Sequence, residues 1–332
     1  MNSNDESGEQ HLQEVLRKAG RRPAPPDALL QSVRTAVESE WRSVVSRRTR
    51  NRQVRLWAVA AGIAVLTLAV GYWLPAFQAT GPVVGDVRAS YGSVRAKSGS
   101  MLARWMSVGT HDRATVGEVI DTGSTGRAAL ALSGSVSLRL DRDTRVALRD
   151  SQHVVIERGA VYVDSGSTPQ PDDERLEVVT PAGAVRHVGT QYEVRLVDAG
   201  VRIAVREGKV EFSSNTGGMQ HASAGEQMTV SRNGAVDRAA IRRDDTSWLW
   251  ATEAAPHFDI DGRSLAEFLL WAARETGREV VFATAESEAE ASRVMLSGSI
   301  KGLTPEAALT AVLSTTSLRG EDRDGKLFIS GK

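Results

Sequence analysis

Apolar residues at helical spacing mark the first 55 residues of the chain. The second half of this segment carries one apolar stripe, formed by Leu30, Val33, Val37 and Trp41. Residues three or four positions apart lie on one face of a helix, so the stripe predicts an amphipathic helix. Short helices of this kind bury little apolar surface alone, and the stripe therefore indicates contact with a partner. Pairing with a second copy, or a poorly ordered tail, is the alternative interpretation.

An uncharged apolar run follows at residues 56–77. A helix of these 22 residues is about 33 Å long, at about 1.5 Å per residue, which is enough to cross the hydrocarbon core of a bilayer. Five arginines precede the run, namely Arg47, Arg48, Arg50, Arg52 and Arg55. No Lys or Arg follows it before Arg88. The positive-inside rule therefore predicts residues 1–55 in the cytoplasm and residues 78–332 across the membrane.

Short stretches of alternating apolar and polar residues occupy positions 83–243, with Gly, Asn, Asp and Ser between them. Examples are the stretches at 136–140, 192–196 and 201–205. Many short strands at such regular spacing predict an all-β domain, either a sandwich or a barrel-like fold.

Helical patterns return in residues 256–332. Ser264 and Glu267 have the spacing of a capping box at the start of a helix, and Gly277 is placed to end that helix. Thr304 is placed to cap a second helix. Strand-like stretches surround both helices, so this part of the chain predicts a small α+β lobe.

Together these patterns predict a multi-domain, single-pass membrane protein. Its parts are a short helical cytoplasmic segment at 1–55, one transmembrane helix at 56–77, an all-β periplasmic domain at 83–243 and a small α+β lobe at 256–332. The predicted location is the bacterial inner membrane, with the N-terminus in the cytoplasm and the C-terminus in the periplasm.

The middle of the chain resembles the FecR (ferric citrate regulator) family of transmembrane anti-sigma regulators. The motifs that carry this resemblance are GEVIDT at 117–122, AALALSGSVSL at 128–138, ERGAVYV at 157–163, VTPAGAVR at 179–186, VGTQYEV at 188–194, VREGKV at 205–210 and AGEQ at 224–227. The C-terminal lobe is similar to the short N-terminal signalling domain of secretins and TonB-dependent receptors. Its matching motifs are FDI at 258–260, VMLSG at 294–298 and GLTP at 302–305.

The resemblance implies a function in cell-surface signalling. A periplasmic domain of the family senses the signalling domain of a ligand-loaded TonB-dependent receptor, and the cytoplasmic segment holds or releases an extracytoplasmic-function (ECF) sigma factor. Transcription linked to uptake at the outer membrane, including iron transport, is then the regulated process. Under this hypothesis of a signalling function, the predicted contact for the sigma factor is the stripe of Leu30, Val33, Val37 and Trp41. The alternative is a membrane-anchored periplasmic module that recruits a secretin-like or polysaccharide partner and has no transcriptional role.

Charge and composition exclude several classes of function and of functional site. Lys and Arg total 41, as do Asp and Glu, and this balance disfavours a dedicated nucleic-acid binder. The balance hides a segment 1–55 with 11 basic and 7 acidic residues, so the two parts of the chain have opposite formal charge. The absence of cysteine excludes disulfides, cysteine-based metal sites and cysteine nucleophiles. The six histidines lack metal-ligand spacing, and no G-x-S-x-G nucleophile motif occurs. We therefore predict that the protein binds no cofactor and no metal ion, and that it is not an enzyme acting on a substrate.

Gly189 and Thr190 form a candidate self-cleavage site. A threonine hydroxyl can attack the carbonyl before it and form an ester, which water then hydrolyses. Such a step needs a strained peptide and a nearby base or oxyanion donor. Self-cleavage at a site of this kind is what the resemblance implies. The alternative is a plain turn that enters the strand predicted at 192–196.

Overall fold

The structure, a computed structural model, describes residues 81–332 apart from four short internal segments, and it also describes part of the N-terminal region. The internal segments are 101–102, 133–135, 167–170 and 172–174, and the described N-terminal residues are 13–15, 17–18, 27, 31–32, 34–35 and 37. The chain divides into two compact units, Met1–Ala79 and Thr80–Lys332.

In the first unit, the described residues are helical. Val15 and Val37 are 57% and 60% exposed, so the apolar side chains described here lack a covering surface within this part of the chain. The other three residues of the predicted stripe (Leu30, Val33 and Trp41), the five arginines and the predicted span at 56–77 lie outside the described residues. Within the described residues, no helix combines the length and the apolar character that crossing a membrane requires.

One large sheet dominates the second unit. Its strands are β1 (Val83–Tyr91), β2 (Arg95–Lys97), β3 (Met106–Ser107), β4 (Arg113–Thr115), β5 (Val119–Asp121), β6 (Arg127–Leu132), β7 (Ser137–Leu140), β8 (Arg145–Leu148), β9 (His153–Arg158), β10 (Ala160–Asp164), β11 (Glu177–Thr180), β12 (Gly183–Val197), β13 (Gly200–Ser214), β14 (Met219–Ser223), β15 (Glu226–Ser231) and β16 (Val236–Ala240).

The strands follow the order β3-β2-β5-β8-β9-β11-β12-β10-β7-β6-β1-β4, and β13 branches from β12 to pair with β14 and β15. Most neighbours are antiparallel, whereas β9 and β11 run parallel. The strands form because apolar residues alternate along them and one face of each meets the core. That core contains Leu138, Val163, Tyr192 and Phe212, all fully buried.

The long hairpin of β12 and β13 makes the sheet turn back over itself. The first half of β12 pairs with β11, and the second half pairs with β10. Likewise, β13 pairs with β15 through one half and with β14 through the other. The register between β12 and β13 shifts between Val188 and Gln191, which marks a β-bulge, and bulges bend strands. Both layers around the core therefore belong to one curled sheet.

The fold class predicted from sequence is wrong. The described chain is mostly one curled sheet of sixteen strands, not a sandwich of separate sheets or a closed barrel, and no described helix can span a membrane. The physical reason lies in β12 and β13, because alternation along a strand is local and does not reveal that one strand contributes to both layers. The boundaries 83–243 and 256–332 remain predictions.

Helices and a second sheet follow after β16. They are α1 (Leu249–Glu253), α2 (Leu265–Thr276), β17 (Glu279–Phe282), α3 (Ala285–Arg293), α4 (Pro305–Ser314), β18 (Leu318–Arg323) and β19 (Lys326–Gly331). The strand order of this sheet is β17-β19-β18. The helices pack on it around a separate core that includes Leu265, Phe268, Leu269 and Ile329. We call the part from α2 to β19 the C-terminal lobe.

Local signals set the ends of these helices. Ser264 and Glu267 form the predicted capping box, with the Glu267 N–H donating to the Ser264 hydroxyl and the Ser264 N–H donating to the Glu267 carboxylate. Gly277 ends α2 in the left-handed region at φ 73°. Thr304 caps α4, which begins at Pro305. These predicted capping positions are confirmed.

Candidate functional site

Gly189 and Thr190 lie at the bulge of β12, where the sheet bends, and we call this bend the corner. Gly189 adopts φ 62°, and Gly208 opposite it on β13 adopts φ 76°, both in the region that favours glycine. A Cβ atom on Gly208 would lie 2.3 Å from the Gly189 carbonyl oxygen and 2.6 Å from Thr190 Cγ2. Only a glycine at position 208 therefore permits this close approach of the two strands.

Thr190 is fully buried, and its main chain is held by Ser165. The Thr190 N–H donates to Ser165 Oγ at 2.8 Å, and the Thr190 carbonyl accepts from the Ser165 N–H at 3.1 Å. The side-chain oxygen Thr190 Oγ1 is buried without a hydrogen-bond partner among the described residues. Burying a hydroxyl without a partner costs about 1–3 kcal/mol, so this atom marks an unusual position in the core.

The nearest histidine along the strand, His187, is not arranged as a base for Thr190. Burial, followed by the charge of Arg175, lowers the pKa of His187 to about 4, so its imidazole is neutral near pH 7. Its Nε2 accepts a hydrogen bond from the Leu176 N–H at 3.2 Å, which assigns the ring proton to Nδ1. The lone pair of this imidazole is thus already engaged away from the threonine.

A chain of hydrogen bonds connects the corner to the C-terminal lobe. Gln191, next to Thr190, donates from Nε2 to Asp164 Oδ2 at 2.9 Å. Arg274 on α2 donates to the same oxygen from Nε at 3.1 Å and pairs with Glu207 on β13 at 3.1 Å. Burial alone would raise the pKa of Asp164, but its bonds to Arg274 outweigh burial and lower it. Asp164 is therefore ionised at neutral pH and links both parts.

A second ion pair between the sheet and the lobe is almost completely enclosed. Arg139 on β7 binds the Glu275 carboxylate on α2 through two hydrogen bonds of 2.7 Å. The two side chains are only 4% and 7% exposed. Arg139 also donates to the Ala251 carbonyl at 2.9 Å. A charge-assisted pair of this geometry fixes both the distance and the orientation of α2 on the sheet.

Two tryptophans around α1 complete the contact region between the large sheet and the helices that follow it. We call this contact region the junction. Trp248 and Trp250 meet the ring of Tyr162 edge-on, with centroids 6.1 Å and 6.4 Å apart. Trp248 Nε1 donates to the Arg242 carbonyl, and Trp250 Nε1 donates to Glu193 Oε2 at 2.7 Å. A small apolar cluster thus covers the face of β10 that points away from the main core.

Sequence reasoning missed the residues of this junction. Arg139 and Glu193 lie at polar positions of alternating strands, and such positions normally face solvent. The tryptophan pair shortly after the last strand of the large sheet was the available signal, since large aromatic residues there call for a surface to cover. Among the predicted site residues, the structure places Gly189 and Thr190 together at the corner and describes Val37 as an exposed helical residue. Within the described residues, no group of His, Asp or Glu side chains is arranged to hold a metal ion.

Comparison with known proteins gives a family match and similar solved structures. Residues 118–211 match the family model described as FecR protein. Two crystal structures of a candidate anti-sigma factor from Parabacteroides distasonis ATCC 8503 are similar to this chain, at 15% and 16% sequence identity and a TM-score of 0.35 for each. The alignments cover 64% of this chain and 99% and 98% of the other chains. No curated protein sequence matches the chain.

The matched segment runs from the start of β5 into the second half of β13. It contains the corner at Gly189 and Thr190, together with the junction residues Arg139, Asp164 and Glu193 on the sheet side. Most of the motifs that carry the resemblance fall within it. The resemblance to the FecR family is therefore confirmed for this segment of the chain.

Proposed function

We propose that this chain is a regulator of the anti-sigma type, which relays a signal from an outer-membrane receptor to an ECF sigma factor. The observation that carries the proposal is the FecR domain at residues 118–211. The charge balance of the chain agrees with a protein that acts through other proteins and not through nucleic acid.

The proposal assigns each partner to one unit of the chain. The signalling domain of a TonB-dependent receptor binds the folded unit Thr80–Lys332, and the sigma factor binds the apolar stripe in residues 1–55. Support for the second assignment comes from Val37, which is helical and 60% exposed. An amphipathic helix with an uncovered apolar face is a common ligand for a groove on a partner.

The proposal also includes a location at the bacterial inner membrane, with residues 1–55 in the cytoplasm and the unit Thr80–Lys332 in the periplasm. Membrane association is typical of the family, and the arginines at positions 47–55 favour this orientation. Digestion of intact spheroplasts tests it. We expect external protease to remove the epitopes of the large unit and to spare an N-terminal tag, and loss of both or of neither contradicts the orientation.

Sigma-factor binding can be tested with the full-length chain carrying a C-terminal tag. We expect an ECF sigma factor to co-purify with the wild-type protein and to be lost in Val33→Asp/Val37→Asp, which places charge in the apolar stripe. Gln31→Asp, on the polar side of the same helical segment, is the matched control and retains the sigma factor. If no sigma factor co-purifies and deletion of the gene leaves transcription unchanged, the regulatory proposal is wrong.

One observation favours the second candidate function, an envelope binding module without a transcriptional role. Phe258 and Trp271 stack with centroids 4.8 Å apart beside an open cavity of about 410 Å³, which Tyr91, Leu303 and Pro305 also line. Apolar clefts with aromatic walls commonly bind peptides or small molecules. The co-purification and transcription measurements above separate this function from the first.

Self-cleavage between Gly189 and Thr190 forms part of the first proposal. Thr190 Oγ1 attacks the Gly189 carbonyl carbon, the peptide C–N bond breaks and the nitrogen takes the proton, which leaves an ester. Water then hydrolyses the ester, giving a Gly189 carboxylate and a new N-terminal Thr190. The positive φ of Gly189 and the unpartnered Thr190 hydroxyl support this step. We propose no reaction on an external substrate.

A further inference from the structure

A row of four charged residues crosses the outer face of the large sheet. Register pairs Arg95 on β2 with Asp121 on β5, Asp121 with Arg145 on β8, and Arg145 with Arg158 on β9. Neighbouring strands are about 4.8 Å apart, so the row is about 14 Å long. Side chains at directly paired positions lie on the same side of a sheet, and the four residues therefore lie together on one face of it.

Trp105, just before β3, gathers three cations around its ring. Lys97 Nζ lies 5.0 Å from the ring centroid, and the guanidinium carbons of Arg145 and Arg95 lie at 5.3 Å and 5.6 Å. Cation–π attraction accounts for one such contact, but three cations beside one indole also repel one another. The arrangement is favourable only with anions close by.

The row and the surroundings of Trp105 together contain four cations, namely Arg95, Lys97, Arg145 and Arg158. Among the described residues, one anion pairs with them. The Asp121 carboxylate is fully buried and binds Arg145 at 2.5 Å and Arg158 at 2.9 Å. Arg95 and Lys97 form no ion pair with an acidic residue in the part of the chain that the structure describes. We call the surface formed by Arg95, Lys97, Arg145, Arg158, Asp121 and Trp105 the basic face. Its formal charge is three positive units.

Apolar side chains adjoin the basic face. Val119 on β5 and Val155 on β9 lie beside the charged row, with Val179 on the next strand, β11, and all three are half-buried. Met106 follows Trp105 and is 68% exposed, which is unusual for a methionine. The surface thus combines unpaired cations, an indole and an exposed apolar side chain.

We propose that the basic face is a docking surface for the anionic phospholipid headgroups of a membrane. Lipid phosphates supply the negative charge that the face lacks, and each cation near an anionic bilayer contributes separately, without a shaped cavity. Tryptophan favours the headgroup region, where Met106 can enter the acyl boundary beside it. A row of cations along a sheet suits a surface of mobile phosphates better than a single peptide. The inference does not rest on the proposed regulatory function.

The test uses residues 80–332, because this segment is a compact unit with its own cores. Co-sedimentation is measured with phosphatidylcholine vesicles and with vesicles of which one third is phosphatidylglycerol. We expect binding to the anionic vesicles only, with affinity falling as salt rises. Equal binding to both vesicle types, or binding to neither, overturns the proposal whatever any variant does.

The decisive variant is Arg95→Glu/Lys97→Glu, because these two cations lack acidic partners among the described residues, whereas Arg145 and Arg158 hold the buried Asp121. We expect its affinity for anionic vesicles to fall at least about tenfold. The control Arg293→Glu/Lys301→Glu removes the same charge from exposed positions of the C-terminal lobe and keeps wild-type affinity.

Two further outcomes decide between lipid and protein. Trp105→Ala keeps the net charge and lowers the affinity several-fold if the indole contacts the headgroups. Equal losses in the decisive and the control variant indicate a general charge effect and overturn the assignment to this face. Capture of a glutamate-rich peptide in place of vesicles identifies a protein-docking surface and contradicts the lipid proposal.

Discussion

At the scale of single residues, the junction depends on charges that are removed from water. Arg139 and Glu275 are almost fully enclosed, so each is stable there only because the other is present. Burial opposes the charge of Arg139, but Glu275 outweighs this effect and raises the pKa of the guanidinium. The pair is thus a specific buried link between β7 and α2, in contrast to the exposed ion pairs of the lobe.

Glu275→Gln removes this ion pair and leaves a buried arginine without a counter-charge. We expect a loss of about 3–5 kcal/mol in the free energy of unfolding of residues 80–332, measured by urea denaturation. Arg139→Met/Glu275→Met, which removes both charges and keeps most of the volume, should recover most of that loss. A Glu275→Gln loss below about 1 kcal/mol contradicts the role assigned to this pair, since exposed pairs contribute that little.

His187 gives the core a defined pH dependence. Its pKa is about 4 in the folded protein and about 6.5 in an unfolded chain, so between these values only the unfolded chain takes up the proton. The stabilisation is complete above about pH 6.5 and is lost as pH falls to about 4, by about 3 kcal/mol in total. His187→Gln keeps an acceptor for the Leu176 N–H and should flatten the slope of stability against pH in this window. An unchanged slope contradicts the assignment.

The Thr190 hydroxyl decides whether the corner can cleave itself. Thr190→Ala removes the nucleophile, and we expect the two fragments divided at this peptide bond to disappear from an immunoblot of the full-length chain. Thr190→Ser keeps a hydroxyl and should retain cleavage. If both variants show the wild-type fragment pattern, cleavage does not occur at this bond.

At the scale of elements, the corner requires glycine for two different reasons. At Gly189 no atom of the described residues, apart from its own chain neighbours, lies within 4 Å of a Cβ position, so only the backbone conformation opposes a side chain there. At Gly208 the same conformational cost is joined by a contact of 2.3 Å with the Gly189 carbonyl oxygen. Strand β13 continues through positions 207–208, where it pairs with the bulged strand β12.

Alanine substitutions at the two glycines separate these effects. We expect Gly189→Ala to cost about 1–2 kcal/mol, the ordinary penalty of a left-handed conformation for a side chain. Gly208→Ala should cost clearly more, because the strands must also separate, and it should speed amide exchange along β12 and β13. Equal losses in thermal unfolding contradict the close packing described at the corner.

At the scale of the whole second unit, Arg274 connects α2 to the corner through Asp164 and Gln191. Arg274→Ala should therefore speed hydrogen exchange at residues 188–191 as well as in α2, since bonds to charged groups contribute about 1.5–3 kcal/mol. Arg263→Ala, which removes an exposed ion pair with Glu267 at the start of the same helix, is the control. Faster exchange in α2 alone means that the lobe and the corner are not coupled.

Much of the local structure follows from the sequence. The alternating stretches at 136–140 and 192–196 fall within β7 and β12 apart from one end residue, and Ser264, Gly277 and Thr304 cap helices as predicted. Helix α3 escaped prediction because its sequence, AESEAEASR, buries only Ser287 and Ala291 and has almost no apolar face. The candidate site was predicted at the corner, but its partners across the chain were not.

Sequence alone determined the strands, the helix ends and the FecR motifs, because each depends on residues within a few positions of one another. Tertiary structure decided that one sheet forms both layers. It also decided that the C-terminal lobe covers the polar positions of Arg139 and Asp164, and that Trp250 covers that of Glu193. Burial of a polar residue depends on contacts more than fifty positions away, such as Arg139 with Glu275 and Glu193 with Trp250. Local periodicity cannot predict such contacts, because the sequence of a strand shows the same alternation whether water or another element faces its polar side.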